Sequence, residues 1–318
     1  MRYYYFMLLF LVVMVVVSLF VGFSSLSLAR LWAGDAHAWL VLSQTRLPRT
    51  FALILVGGAL ALAGTIMQML ARNRFVEPAT SGTVEFASLG ILFVMIFAPS
   101  LPIIVKILIS ASFAFMGALV FMGLLRMMTL KSALVVPLIG IMLGYIVGAF
   151  TNAIADYYLL LPSLQAYLFA SFSMIIEGKY ELLFLVFPLC FCAYLLANRF
   201  TVTGLGEGFA HNLGLDYRKL MFLGLFIVAL ITAVVVSTVG RIPFVGLVVP
   251  NIVSLLVGDN LRHNLPWVTM GGALLVLFCD VFGRLISPAF EIPLATMMGV
   301  VGSSLFIGLL IYRRGRLG

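Results

Sequence analysis

Seven stretches of this sequence carry at most one charge over the length of a bilayer crossing: 4–28, 50–71, 104–125, 132–157, 180–198, 219–240 and 294–312. A helix needs about 20 apolar residues to span the hydrocarbon core. Three further apolar runs, 84–99, 243–257 and 267–285, are shorter or interrupted. Inside a bilayer each backbone N–H and C=O must find a partner within the protein, so runs of this length cross as helices. Composition closes off the soluble alternative. Of the 318 residues 64% are hydrophobic and 9% charged, whereas a soluble domain carries roughly 25% charged residues. The chain reads as an all-α polytopic membrane protein of ten helices, one domain over 1–318.

Tyr3–Phe23 has an apolar run longer than the roughly 7–15 residues of a signal-peptide core, and no polar domain follows. It reads as a retained first span. Cys190, Cys192 and Cys279 all lie in apolar runs and read as small buried hydrophobes. No Cys/His spacing suits zinc, and no disulfide framework is available. The net charge of +8 comes from bases scattered singly between apolar runs, which fits lipid topology rather than nucleic acid. With the N-terminus inside, the cytoplasmic bases are Arg2, Arg72, Arg74, Arg126, Lys131, Arg199, Arg218, Lys219, Arg262, Arg313, Arg314 and Arg316. Arg30, Arg46, Arg49, Lys106, Lys179, Arg241 and Arg284 fall on the other side. The bias places both termini in the cytoplasm.

Four local features ask for an explanation. "RNRFVEPATSGTVEFASLG" (Arg72–Gly90) and "GRIPFVGLVVPNIVSLLVGDN" (Gly240–Asn260) interrupt their apolar runs, the second with Pro243 and Pro250 bracketing it. They are either kinked helices filling a bundle or the paired broken segments that mark a transport path. "TGLGEGFAHNLGLDYRKLM" (Thr203–Met221) cannot span. Leu205, Phe209 and Leu213 make one apolar stripe, with Thr203 as N-cap and Gly214 as the terminating glycine. That describes a short amphipathic cytoplasmic helix, either an inert connection or a contact site. Gly140, Gly144 and Gly148 repeat at four-residue spacing before Asn152 and Asp156, a pattern of tight helix packing or of a polar path. Arg46, Arg49 and Arg284 sit at span ends, as interface anchors or as docking charges.

The only Gly-Lys pair, Gly178–Lys179, lacks the upstream glycine of an ATP-binding loop, so ATP would be hydrolysed elsewhere. No paired-acid, His-rich or nucleophile motif lies in a span, and the chain is not read as an enzyme. Glu85, Asp156 and Asp280 are the acids placed at or near membrane depth. So few speak against an ATP-independent secondary transporter, the alternative reading.

Four segments arrive in order: "RLPRTFALILVGGALALAGTIMQMLARNRFVEP" at 46–78, "GEGFAHNLGL" at 206–215, "FVGLVVPNIVSLLVGDNLRHNLP" at 244–266 and "CDVFGRLISPAFEIP" at 279–293. This series resembles the permease subunits of ABC importers for iron–siderophore complexes and cobalamin, over nearly the whole chain. The resemblance implies a type II importer permease fold in the cytoplasmic (inner) membrane, with ten helices per subunit and two subunits around one path. It implies two cytoplasmic ATPase subunits holding ATP and Mg, no cofactor on this chain, and a periplasmic or lipid-anchored siderophore-binding protein. By resemblance, Leu205, Glu207, Phe209, Ala210, Leu213 and Gly214, within a coupling helix of about 203–217, grip the ATPase. Arg46, Arg49 and Arg284 dock the binding protein, and Gly144, Gly148, Asn152 and Asp156 line the path. The chain departs from the family pattern at Asn251, where many members have His, at "VEPATSGT", and at Leu294–Ala295 after Glu291–Pro293. These variants look like the subgroup for ferric catecholate siderophores, in which the two permease subunits often differ. A heterodimer is favoured, with a homodimer, and cobalamin or heme as cargo, the alternatives.

Overall fold

Short broken helices sit beside long ones throughout this chain. The computed structural model describes residues 2–22, 27–128, 135–170, 172, 175, 180–258, 260–286 and 292–317. Its helices are α1 (Arg2–Phe20), α2 (Leu28–Trp32), α3 (Ala36–Val41), α4 (Leu47–Leu70), α5 (Thr83–Phe97), α6 (Ile103–Met127) and α7 (Val135–Tyr157). There follow α8 (Leu161–Leu168), α9 (Val186–Leu205), α10 (Glu207–Asn212), α11 (Tyr217–Val239), α12 (Val245–Val257), α13 (Leu261–Ile286) and α14 (Leu294–Leu317). Among the described residues, seven helical stretches are long and apolar enough to cross a membrane, and three apolar helices, Tyr4–Phe20, α5 and α12, are shorter.

Several sequence boundaries move. The first helix ends at Phe20 rather than running through 28. Residues 23–26 lie outside the described set, as do Lys131, Lys179 and Glu291. Residues 261–265, ahead of the apolar run at 267–285, already belong to α13. Pro250 lies inside α12 instead of ending it. A proline at 250 has no N–H to give the carbonyl four residues back. That carbonyl, Gly246 O, instead accepts from Gln68 Nε2 of α4 at 3.2 Å. The helix continues because a neighbour supplies the missing donor.

α4 is the axis of the fold. Its apolar window is 83% buried and that of α11 78%, against 33% for α6, 28% for α7 and 22% for α14. The first pair therefore forms the core, and the others face lipid or partner chains. Lipid tails are as apolar as leucine, so helices associate through close backbone approach at small residues. A Cβ on Gly57 would lie 2.4 Å from the Gly272 carbonyl of α13, and one on Gly64 would lie 2.1 Å from the Gly246 carbonyl of α12. The glycine-alanine run of α4 thus fixes two crossings in which backbone meets backbone.

Gly57→Val and Gly64→Val should each lower the thermal unfolding midpoint of the detergent-solubilised subunit. The loss should exceed the about 1–3 kcal/mol of ordinary overpacking, because the obstructing atoms are main chain. Gly123→Val, where a Cβ meets nothing within 4 Å, should leave the midpoint unchanged.

Candidate functional site

The two interrupted segments meet each other. After α4 the chain turns back through Asn73, whose Oδ1 accepts from Phe75 N–H at 2.8 Å, to a 3-10 turn at Ala79–Ser81 and left-handed Gly82. Opposite, α11 ends at Gly240 (φ +90) and the chain runs to Phe244, a non-glycine residue at φ +69. A left-handed backbone costs roughly 1–2 kcal/mol outside glycine. Two features hold Phe244 there. Its N–H donates to Glu77 Oε1 at 3.1 Å. On α14, Gly302 leaves room where a Cβ would approach Phe244 Cβ to 2.6 Å. Glu77 also faces the Gly246 and Leu247 amides, so its carboxyl caps the open N-terminus of α12. Glu77 was not among the acids singled out in the sequence. The tie between one broken segment and the other was legible only as an acid-proline pair of no evident partner.

A second contact joins the same segments. Arg241 Nη1 lies 3.8 Å from Glu85 Oε1 on α5, and Arg241 Nη2 donates to Ser88 Oγ at 2.7 Å. The Arg241 N–H donates to Leu168 O at 3.0 Å, anchoring this turn to α8. The pair lies between two cavities. One, of about 460 Å³, is lined by Glu85, Arg241, Gly144, Tyr145, Gly148 and Asn152. The other, of about 360 Å³, is lined by Glu85, Arg241, Gln165, Phe169 and Pro243 among others. Arg241, read from the sequence as an outer-loop base, belongs to this site instead.

The α7 glycines divide between the two explanations the sequence left open. A Cβ on Gly140 would lie 2.1 Å from Thr80 O, which is tight packing. At Gly144 and Gly148 the nearest atoms belong to the Glu85 side chain, at 3.3 and 3.8 Å. These two keep the cavity wall low over Glu85. Asn152 joins them on the wall and its Oδ1 accepts from Gln165 Nε2 at 3.1 Å. Asp156, exposed at the end of α7, lines neither cavity.

The three arginines expected to dock a soluble partner are largely buried in this chain. Arg46 is 7% exposed, Arg284 3%, and the Arg49 side chain 12%. Arg49 Nη2 and Arg284 Nη2 lie 2.7 and 2.6 Å from the two oxygens of Asp280, itself 4% exposed. The Arg284 contact is off the hydrogen-bonding direction, leaving Asp280 Oδ2 without a hydrogen bond, so it is ionic. Arg284 also donates to Ser18 Oγ at 2.9 Å and to the carbonyls of Ser18 and Val21, and Arg46 donates to Val21 O. Ser18 Oγ in turn meets Thr50 Oγ1 at 3.0 Å. The network staples the end of α1 to α4 and α13. The physical reason is plain: the α1 carbonyls and a buried aspartate consume the guanidinium donors that a docking surface would need.

At the far end of α4, about 36 Å away by helical rise, Arg72, Arg74 and Arg126 line a cavity beside Tyr217. There α10 lies against α9 and α11. It spans only Glu207–Asn212, shorter than the expected 203–217. Thr203 is not its cap: it is buried within α9 and donates to Arg199 O at 2.8 Å. Gly206 (φ +120) takes the cap position. Gly214 ends the helix at φ +69, with Gly214 N–H donating to His211 O and Leu215 N–H to Ala210 O, both 2.9 Å, the paired bonds of a Schellman ending. Leu205, Phe209 and Leu213 are 60%, 63% and 63% exposed, and Glu207 is exposed with them. Ala210 is fully buried. Expected as a partner contact, it faces its own chain, because one side of so short a helix must pack on α9 and α11. Next to it, Asp216 caps α11; the Lys219 backbone N–H, and then its ammonium, hold this carboxyl below the ordinary range.

Comparison with known proteins follows the same boundaries. Residues 9–313 match the FecCD transport family. The chain is 40% identical over 299 residues to the petrobactin import system permease protein of Bacillus subtilis, covering 94% of this chain and 95% of that one. It is 40% identical over 294 residues to the ferric-anguibactin transport system permease protein of Vibrio anguillarum, covering 92% and 94%. Among solved structures, a metal-chelate type ABC transporter in an inward-facing conformation superimposes with a TM-score of 0.82 at 28% identity, covering 98% of this chain and 99% of that one.

The arginine network makes a direct prediction. Removing one member of a buried ion cluster strands the others at a cost of about 3–5 kcal/mol. Asp280→Asn should therefore sharply lower the thermal midpoint of the solubilised subunit. Arg30→Gln, at an exposed position, should not.

Proposed function

The chain belongs to the FecCD transport family, and from that premise we propose that it is one of two permease subunits of an ATP-driven importer for ferric siderophores in the cytoplasmic membrane. The reading is carried by the end-to-end likeness to two permeases named for siderophore import. In it, the three short apolar helices join the seven long ones to make ten membrane elements, and both termini face the cytoplasm. The second permease subunit covers the exposed flank of α7, so that the cavity beside Glu85 and Arg241 becomes part of a path between subunits. A heterodimer is favoured.

Energy enters through α10. Leu205, Phe209 and Leu213 give an apolar patch and Glu207 a charge beside it, the mix of buried anchors and polar rim by which a protein partner is gripped. Gly206 and Gly214 set the helix off from α9 and α11 with backbone angles that permit sharp turns. Two ATPase subunits, each held by such a patch, would transmit nucleotide-driven movement to the membrane helices. A binding protein delivers the chelate on the opposite side. The buried arginines 46, 49 and 284 hold that end together rather than meeting the delivery protein themselves.

Co-expressed with its partner permease and ATPase and reconstituted in vesicles, the complex should take up ferric petrobactin only with ATP and the binding protein. Uptake without ATP would point to a secondary transporter. Phe209→Asp with Leu213→Asp should reduce co-purification of the ATPase subunit tenfold or more, since interface anchors are worth about 2 kcal/mol or more apiece. Retention of the ATPase by that variant would remove α10 from the contact.

A further inference from the structure

Two ion clusters among the described residues are built differently, and the contrast is informative. Around Asp280 the charges are closed: contacts of 2.7 and 2.6 Å, with the Asp280 and Arg284 side chains each 2% exposed. Between Arg241 and Glu85 the pair is open. The nitrogen–oxygen separation is 3.8 Å, well beyond the roughly 2.7–2.9 Å of a charge-assisted hydrogen bond. The Arg241 side chain is 37% exposed and that of Glu85 20%. Glu85 Oε2 and Arg241 Nε are buried atoms without hydrogen-bond partners, as is Asp280 Oδ2 in the closed cluster, so the difference lies in the separation and exposure of the charges. Ser88 Oγ fixes one terminal nitrogen of the guanidinium at 2.7 Å. Cavities of about 460 and 360 Å³ adjoin the pair.

A guanidinium has five donors in a planar fork and keeps its charge in any protein setting. Leaving one donor unmet in a low-dielectric site is costly unless something arrives to meet it. We propose that Arg241 is an anion-binding residue of the transport path, receiving a carboxylate or ionised catechol oxygen of the passing metal chelate. Glu85 is its resting counter-ion and Ser88 its orienting partner. This rests on the reading of the chain as an importer permease. The loose Glu85 contact is what lets the site work repeatedly. The cargo oxygen takes the place of the Glu85 carboxylate on Arg241, and Glu85, whose side chain is 20% exposed, turns into the adjoining cavity. Gly144 and Gly148 serve the same end, leaving space in which Glu85 can withdraw.

The test uses small charged thiol reagents in place of the cargo. In a background with Cys190, Cys192 and Cys279 replaced by alanine, Asn152→Cys places a thiol on the wall of the cavity shared with Arg241. The reconstituted complex is treated with a sulfonate-bearing and a trimethylammonium-bearing methanethiosulfonate, each rate being normalised to a free thiol in solution. The anionic reagent should react severalfold faster than the cationic one, because the Arg241 side chain is the more exposed of the pair, 37% against 20% for Glu85. In Glu85→Gln with Arg241→Gln the formal charge of the pair is zero, as in the parent, yet the preference should vanish. Arg241→Lys should retain it in part. A parent with no preference, a double variant that keeps it, or a thiol unreactive with both reagents would overturn the proposal. ATP-dependent uptake of ferric petrobactin by the parent complex is read separately. Its absence would defeat the importer reading, whereas uptake without anion preference would defeat only this inference.

Discussion

Backbone polar groups at membrane depth must be satisfied by the protein itself, and the architecture of this chain follows from how two broken segments meet that demand. α5 has 15 residues and α12 has 13, too few for either to cross alone. Their ends leave amides and carbonyls that lipid cannot serve. Glu77 accepts from Phe244 N–H, Gln68 supplies the donor that Pro250 withholds from Gly246 O, and Asn251 Nδ2 reaches both Leu247 O and Arg74 O at 2.7 Å. Each broken end is completed by the other segment or by α4. Irregular backbone is thereby made affordable in the one region where a permease needs polar groups and space.

The rest of the structure is arranged to keep that junction in place. α4 passes close to α12 and α13 through glycine contacts, and the Asp280 network locks α13 and α1 to the start of α4. Core and flank are thus separated: most residues of the α4 and α11 apolar windows are buried, whereas most of those in α6, α7 and α14 are not. The polar cavity borders the exposed α7, and the exposed apolar patch of α10 stands at the end of the molecule where Arg72, Arg74 and Arg126 gather.

Much of this was legible in the residues, though unevenly. Long apolar runs gave the helices because period and length suffice for them. The interruptions at 72–90 and 240–260 and the short helix ending at Gly214 could be placed because glycine, proline and charge stand out against lipid-facing sequence, though its start was set at Thr203 rather than Gly206. What failed were inferences about which way a side chain points. Arg46, Arg49 and Arg284 at span ends look like surface charges; Arg284 stands four residues after its partner Asp280 on α13, but Arg49 reaches the same aspartate across 231 residues, which sequence spacing does not show. Ala210 sits beside exposed neighbours, and only the packing of α10 on α9 and α11 turns it inward. Glu77 was not singled out because its partner is a main-chain amide, which no residue type announces.

The account depends most on the Glu77 tie between the broken segments, and amide hydrogen exchange over residues 240–250 of the subunit in lipid nanodiscs reads it directly. Phe244 should exchange slowly in the parent and in Glu77→Gln, whose side chain keeps an acceptor oxygen. In Glu77→Leu, where no acceptor remains, exchange at Phe244 and the first turn of α12 should accelerate by an order of magnitude or more, while the core of α4 stays protected. Equal exchange in all three proteins would contradict the claim that the two segments complete each other's backbone.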